Sequence, residues 1–266
     1  MNWPRPAIES VTQVRPLRVG RCIGIVLLLA SWGSLSAPAQ ASIPASPTLT
    51  AAAIVQQMVV RNQQRAAELG PYTSQRHYHI AYRGFPHGAE ADMIVDVTCN
   101  GPSSKTFRIV SQSGSKLLID HVLTRLLKTE KDDAASRSDS ALTPANYNFT
   151  LIGSDTVNGR QTYSLKVEPR ERRPLLYRGT IWVDAREFAV VQIDAQPAKN
   201  PSFWIRDTAI HHVYSQTGEF WLPQSNKTET KVRLGGTALL TIQYGTYNFS
   251  HAGDVATTLA EDGSKQ

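Results

Sequence analysis

Two periodicities divide this chain. From Thr50 to Leu69, Ala51, Val55, Val59, Asn62, Ala66 and Leu69 recur at three-to-four spacing, and Ile54 and Met58 widen the apolar stripe. Gln56, Gln57, Arg61, Gln63 and Arg65 fall on the other side. This spacing predicts an amphipathic helix with Thr50 as N-cap and Gly70-Pro71 as its stop. The period then drops to two. Tyr78, Ile80 and Tyr82 alternate with His77, His79 and Ala81. Met93, Val95, Val97 and Cys99 alternate with Ile94, Asp96 and Thr98, and Phe107 and Ile109 continue the pattern. With turn-rich breaks at 84–88 and 100–103, this predicts a three-strand meander.

A second helical stripe follows at Leu118, Ile119, Val122, Leu123 and Leu126, with Ser115 as a cap candidate. Its apolarity requires a packing partner. Lys131 to Ala145 is polar and reads as an exposed loop. Alternation then continues to the end of the chain. Tyr147–Thr156 and Arg160–Glu168 flank Val157-Asn158-Gly159, and Asn-Gly between alternating runs is a strong hairpin signal. Tyr177–Asp184 and Phe188–Ala195 form a further pair. Trp204–Ser215 and Glu219–Leu222 flank Thr217-Gly218, and Ser225–Leu234 and Thr237–Phe249 flank Gly235-Gly236. The total is ten or eleven strands, with helices only near the N-terminus and after the first meander. That order suggests a mainly β (α+β) chain: one curved antiparallel sheet or open barrel whose concave face the two helices cover.

Composition changes this picture little. Hydrophobic residues make up 41% and charged residues 19% of the 266 residues, an ordinary globular balance. Residues 1–41 change it more. Arg15, Arg18 and Arg21 precede an apolar run from Cys22 to Trp32, and Ala39-Gln40-Ala41 closes an A-x-A pattern. This reads as a signal peptide cleaved after Ala41, its apolar run being too short for a membrane span. Residues 42–49 read as a linker, 50–250 as one domain and 251–266 as a flexible tail. No later run has spanning length, so no transmembrane segment is expected after cleavage. The leader carries four Arg and one Glu, so the chain's net +6 falls to +3 over residues 42–266. So small a charge on an exported chain argues against nucleic acid as a partner. Cys22 precedes the apolar run and leaves with it, so it is not a lipobox cysteine. Cys99 remains alone, on an apolar strand face that predicts a buried thiol.

The chemistry-bearing patterns are sparse. Ser113-Gly114-Ser115-Lys116 has the S-x-x-K spacing of serine acyl-enzymes, without that class's S-D-N and K-T-G companions. His77-x-His79 sets two imidazoles on one strand face, which could seed a metal site. No carboxylate shares that face of the strand, so a third ligand would have to come from elsewhere. His211 and His212 point to opposite faces. Arg170, Arg172, Arg173 and Arg178 cluster around Pro169 and Pro174 and offer a headgroup or partner surface. Trp182, Phe203, Trp204, Phe220 and Trp221 form an aromatic set suited to a core or to the wall of an acyl-chain cavity. No catalytic residue, metal site or cofactor is assigned, and the chain is read as a non-enzyme.

The succession "RHYHIAYRGF", "ADMIVDVTC", "SGSKLLIDHVLTRLL", "YSLKVEP", "LYRGTIWVDAREFAVVQIDAQPAKNPSFW" and "GEFWLP" resembles the outer-membrane lipoprotein-sorting superfamily of LolA, LolB and RseB-like periplasmic proteins. The resemblance spans about residues 50–250. It implies an unclosed half-barrel with a helical lid, located in the periplasm. Its partners would be a lipid or lipoprotein acyl chain and, in an RseB-like branch, an envelope membrane protein. The expected cavity wall is Met93, Val95, Val97, Tyr163, Leu165, Ile181, Val183, Val191 and Ile193, with Val122 and Leu126 as lid. A monomer is expected.

Overall fold

The computed structural model describes residues 49–101, 104–133, 140–173, 175–200, 203, 205–233 and 235–249. The expected signal peptide, all but Leu49 of the expected linker, the expected tail and Trp204 lie outside the described residues.

Helix α1 (Ala51–Glu68) starts where its sequence signals place it, with the Thr50 hydroxyl accepting from the Ala53 amide at 3.3 Å. The meander follows as β1 (Tyr72–Arg83), β2 (Ala89–Cys99) and β3 (Lys105–Gly114). A continuous helical segment comes next. It consists of α2 (Lys116–Leu118), a π-helical stretch (Ile119–Leu123) and α3 (Thr124–Asp133). Ser115 precedes it but makes no side-chain cap bond. The loop expected at Lys131–Ala145 is therefore shorter at its start. The remainder is strand: β4 (Tyr147–Val157), β5 (Arg160–Pro169), β6 (Tyr177–Asp184), β7 (Val190–Pro197), β8 (Ile205–Thr217), β9 (Phe220–Val232) and β10 (Thr237–Phe249).

All ten strands join one antiparallel sheet in the order β3-β2-β1-β10-β9-β8-β7-β6-β5-β4. Every neighbour is a sequence neighbour except β1 and β10, which pair from Tyr72↔Phe249 to Arg83↔Thr237 and stitch the two meanders together. β3 and β4 are the free edges, so the sheet is open. The Asn158-Gly159 turn has φ of 50° and 77°, the left-handed pair that a two-residue hairpin requires. The β6–β7 turn is held differently. The buried Asp184 carboxylate accepts from the Arg186 and Glu187 amides at 2.9 and 2.7 Å, and its other oxygen accepts from Arg160 at 2.5 Å.

Strand alternation puts one apolar face inward, and the helices divide it. Ile54, Val55 and Met58 of α1 pack on Tyr147, Leu165, Val167, Ile181, Val183 and Ile193. Leu118, Ile119, Leu123 and Leu127 pack on Tyr78, Ile80, Met93, Val95, Val97 and Ile242. These side chains fill the sheet's inner face beneath each helix, and truncating one of them to alanine costs about 2–5 kcal/mol. A third, smaller cluster of Tyr72, Cys99, Leu222 and Tyr247 lies near one end of the β1–β10 seam.

Candidate functional site

α1 does more than cap a core. Its buried residues all lie in its N-terminal half, and its C-terminal half leaves space beneath it. Asn62, Arg65, Ala66 and Leu69 form one wall of a cavity of about 500 Å3. Tyr177, Val190, Ile193, His212, Tyr214, Phe220, Trp221 and Leu222 on β6 to β9 form the opposite side, and Ser140, Leu142 and Leu175 close one end. Most of this lining is apolar or aromatic, and the volume is that of a small-molecule pocket.

The polar groups that β6 to β9 bring to the cavity are neutral. Thr228 Oγ1 donates to Asn226 Oδ1 at 3.0 Å, which leaves the Asn226 amide NH2 to donate to His212 Nε2. That network assigns the Nδ1–H tautomer to His212. Desolvation, with a smaller contribution from neighbouring His211, lowers the His212 pKa to about 4, so the ring is uncharged at neutral pH. Burial pushes the Tyr214 hydroxyl up to about 12 and Tyr177 well above its ordinary value, so both remain protonated donors. The cation at the rim is Arg65. Its Nη2 donates to the Glu187 carbonyl at 2.5 Å and the Glu187 carboxylate at 3.1 Å, fastening the end of α1 to the β6–β7 turn.

A second fastening holds the other helix. Arg76 is only 3% exposed on the inner face of β1. It donates to both Glu130 oxygens of α3, at 3.0 and 2.9 Å, and Lys105 of β3 reaches Glu130 at 2.8 Å. The Arg76 guanidinium lies 4.7 Å from the Tyr244 ring centroid. The two cations hold the Glu130 carboxyl below the usual carboxylate range against the opposing effect of burial. Arg76 Nε and Ser74 Oγ remain without partners in this buried corner.

The expected cavity wall is only partly adjacent to open space. Ile193 lines the cavity, and Val191 lines a smaller hollow of about 340 Å3 beside Arg160 and Trp221. Met93, Val95 and Val97 are fully buried under the helix after β3, and Leu165, Ile181 and Val183 under α1. Tyr163 packs at the margin of the α1 cluster, stacked on Phe188. Val122 and Leu126 pack against the Met93 cluster. The helix that walls the cavity is thus α1, whereas the one carrying Val122 and Leu126 covers a filled half of the sheet. The reason is packing: Leu118, Ile119, Leu123 and Leu127 fill that half, whereas the last turns of α1 offer only Asn62, Arg65, Ala66 and Leu69.

The four arginines do not converge. Arg170 donates to the Pro144 carbonyl at 2.7 Å and Arg173 to Asn146 Oδ1 at 3.2 Å, so both brace the turn before β4. Arg172 is exposed. Arg178 lines a groove of about 840 Å3 on the outer face, with Lys166, Glu168, Asp194, His211, Lys227 and Glu229. That larger groove has a charged rim, and His211 is hydrogen-bonded to Asp194 within it. The inner cavity therefore has the better chemistry for an apolar ligand. Of the aromatic set, Phe220 and Trp221 line the cavity, Trp182 donates to Asp155 at 3.4 Å, and Phe203 carries the Arg233 guanidinium 4.9 Å from its ring. Cys99 is buried, its thiol donating to the Gly101 carbonyl. Ser113 and Lys116 are split by the strand-to-helix boundary, and Lys116 pairs with Asp120 at 2.8 Å.

Fold and site together define an open antiparallel half-barrel with a cavity, lined by apolar, aromatic and polar side chains, under its first helix. A family of unknown function, DUF5686, matches residues 138–249. No curated protein matches the chain. Solved structures similar in fold include a DUF1329 family protein from Desulfovibrio piger, at 11% identity and a TM-score of 0.40, covering 77% of this chain and 95% of that one. A LolA superfamily protein from Nitrosomonas europaea matches at 11% identity and a TM-score of 0.33, with the same two coverages. A chain of the Pseudomonas aeruginosa MucA/MucB complex matches at 10% identity and a TM-score of 0.24, covering 76% of this chain and 99% of that one. The superfamily that the sequence resembles is thus among the fold matches. No helix of the described residues is long and apolar enough to cross a membrane.

Proposed function

We propose that this protein binds a lipid or lipoprotein acyl chain in the cavity beneath α1, in the periplasm, as a carrier or sorting factor and without catalysis. The observation that carries this reading is the cavity itself. It is an unfilled space of about 500 Å3, lined mostly by apolar or aromatic side chains, beside the packed cluster under α1. Its one lining cation, Arg65, is already paired with Glu187, so an acyl chain enters without stranding a charge. Each methylene buried contributes about 0.8 kcal/mol, so a long chain binds by burial alone. Release would widen the space between the last turns of α1 and the β6–β9 side of the cavity. The export leader in residues 1–41 supports the compartment.

The test is titration of the purified protein with a fluorescent long-chain acyl probe, compared with Ala66→Trp. Ala66 is exposed on α1 and borders the cavity, so the indole fills the space without disturbing the packed core. The wild type should bind the probe and the variant should bind it at least tenfold more weakly. No binding by the wild type, or equal binding by both, would overturn the reading.

A further inference from the structure

The antiparallel strand order brings the connections 84–88, 115–116, 170–176, 198–204 and 233–236 to one end of the sheet. Single exposed apolar residues are ordinary on a protein surface. Here they gather. Among the described residues the three most exposed large apolar side chains lie at this end: Phe85 at 82%, Phe203 at 74% and Leu117, in the first turn of α2, at 66%. Leu175 joins them at 50%. The connections at the opposite end, 69–71, 100–104, 158–159, 185–189 and 218–219, expose no large apolar side chain among their described residues.

Hydrogen bonds brace these loops into one rim. The Tyr82 hydroxyl lies 2.9 Å from the Phe85 carbonyl and 3.1 Å from the Gly235 carbonyl, within reach of both. Gly84 and Gly236 allow that approach, since a side chain on Gly84 would collide with the Gly236 backbone. Arg233 Nε donates to the Phe203 carbonyl at 2.7 Å. The Ala198 amide donates to the Leu176 carbonyl at 2.8 Å, beside Leu175, and the Ser115 amide to the Glu90 carbonyl at 2.7 Å.

Charge follows the same polarity. The connections of this end carry Lys116, Arg170, Arg172, Arg173, Lys199 and Arg233 against Glu171 alone. Lys116 is matched by Asp120 on the next helical turn, and the other five still outnumber the one acid. The opposite connections carry Arg186 against Glu187 and Glu219. One end of the sheet is therefore both apolar-tipped and cationic, and the other is neither.

We propose that this end docks the protein on an anionic phospholipid surface, with Phe85, Leu117, Leu175 and Phe203 entering the boundary between headgroups and acyl chains and Arg172, Lys199 and Arg233 meeting the phosphates. Apolar side chains that enter that boundary, with cations drawn to anionic headgroups, are the two terms of interfacial binding. The four apolar residues stand on separate loops. A fluid layer closes around each of them, whereas a folded partner would need a pocket for every one. The Arg233 guanidinium, 4.9 Å from the Phe203 ring centroid, sets a phosphate-binding cation beside an inserted side chain. Leu175 also borders the cavity under α1, so docking turns that end of the cavity toward the bilayer. This last consequence rests on the cavity's proposed role; the docking itself does not.

The experiment is sedimentation of the purified protein with vesicles of phosphatidylcholine alone or of an equimolar mixture with phosphatidylglycerol. The protein should bind the mixed vesicles more tightly than the neutral ones, and added salt should weaken the binding. Phe85→Ser/Leu117→Gln and, separately, Arg172→Glu/Lys199→Glu should each bind the mixed vesicles at least tenfold more weakly, with unchanged circular dichroism because all four positions are exposed. Ile152→Ser removes a comparably exposed apolar residue from β4, away from this end, and should bind like the wild type. Ala66→Trp should also bind vesicles normally, and Phe85→Ser/Leu117→Gln should still take up the soluble acyl probe, which separates docking from the cavity. No binding to mixed vesicles, equal binding to phosphatidylcholine alone, or wild-type binding by Phe85→Ser/Leu117→Gln would overturn the proposal. Retention on polyglutamate without vesicle binding would also overturn it, assigning this end to an acidic protein surface instead.

Discussion

Asp184 shows how much one side chain can hold. Its carboxylate satisfies two amides of the β6–β7 turn and the Arg160 guanidinium, from a site almost closed to water. Those bonds depress its pKa, although burial alone would raise it. The folded value lies below the unfolded one near 3.9, so the stabilisation is complete above about pH 5 and is lost as pH falls through the depressed value. Asp184→Asn should lower the urea midpoint at pH 7 and flatten the wild type's loss between pH 5 and 3, as chemical denaturation at both pH values would show. Its loss at neutral pH should be about 1.5–3 kcal/mol, since it weakens the charge-assisted bonds of a buried carboxylate. His212 gives the complementary case. Its folded pKa of about 4 lies below the unfolded value near 6.5, so the unfolded chain binds the extra proton between them and stability falls as pH drops through that window. A proton NMR titration should find His212 neutral down to about pH 5. A midpoint near 6.5 would show that its surroundings do not desolvate it.

At the scale of elements, two polar ties set how firmly each helix sits. α3 is held by a buried triad in which Arg76 and Lys105 share Glu130. Removing the acid leaves Arg76 buried and unpaired, so Glu130→Ala should cost about 3–5 kcal/mol, measured by denaturant unfolding. α1 is held at its C-terminal end by the partly exposed Arg65–Glu187 pair. Exposed pairs contribute only about 0–1 kcal/mol, so Arg65→Ala should leave global stability nearly unchanged. It should nonetheless speed amide exchange in the last turns of α1, which, beyond the tie, reach a packed cluster through Leu69. Equal exchange in wild type and variant would mean that Leu69 and its neighbours hold the helix end without Arg65. Much of this level is readable along the chain. The α1 stripe, the Thr50 cap, the Asn158-Gly159 turn and the strand alternation are local, and each depends on residues within a few positions of one another. The two ties are not readable, because Arg76 and Glu130 are far apart in sequence and neither has a local reason to be buried.

For the molecule as a whole, the decisive pairing is β1 with β10. It joins the first strand to the last and makes one sheet of two meanders. Truncation after Val232 removes β10, opens unpaired edges on β1 and β9, and strips Ile242 and Tyr244 from the core around Arg76. The shortened chain should fail to give a native melt and should aggregate, since new sheet edges pair with any available strand. Sedimentation and circular dichroism would show it; a cooperative monomer would mean that the two meanders fold independently.

The sequence by itself determined the elements. Period, caps and turn residues gave two helices and a long antiparallel series of strands, and they marked Ile193, Phe220 and Trp221 as candidates for an apolar wall. The tertiary structure decided which apolar residues face open space. Met93, Leu165 and Ile193 all occupy the same kind of position in an alternating strand. The placement of the helices closes off the first two completely, whereas Ile193, packed in the α1 cluster, also borders the cavity. It likewise decided that Asp92 meets His77 and His79, and that Phe85, Leu175 and Phe203 gather at one end of the sheet, because strand register and order bring together residues that no local pattern links. Hydrophobic periodicity acts between near neighbours and can be read along the chain. Cavities and side-chain clusters are made where distant segments meet, and their geometry exists only after the sheet has closed its long-range pairs.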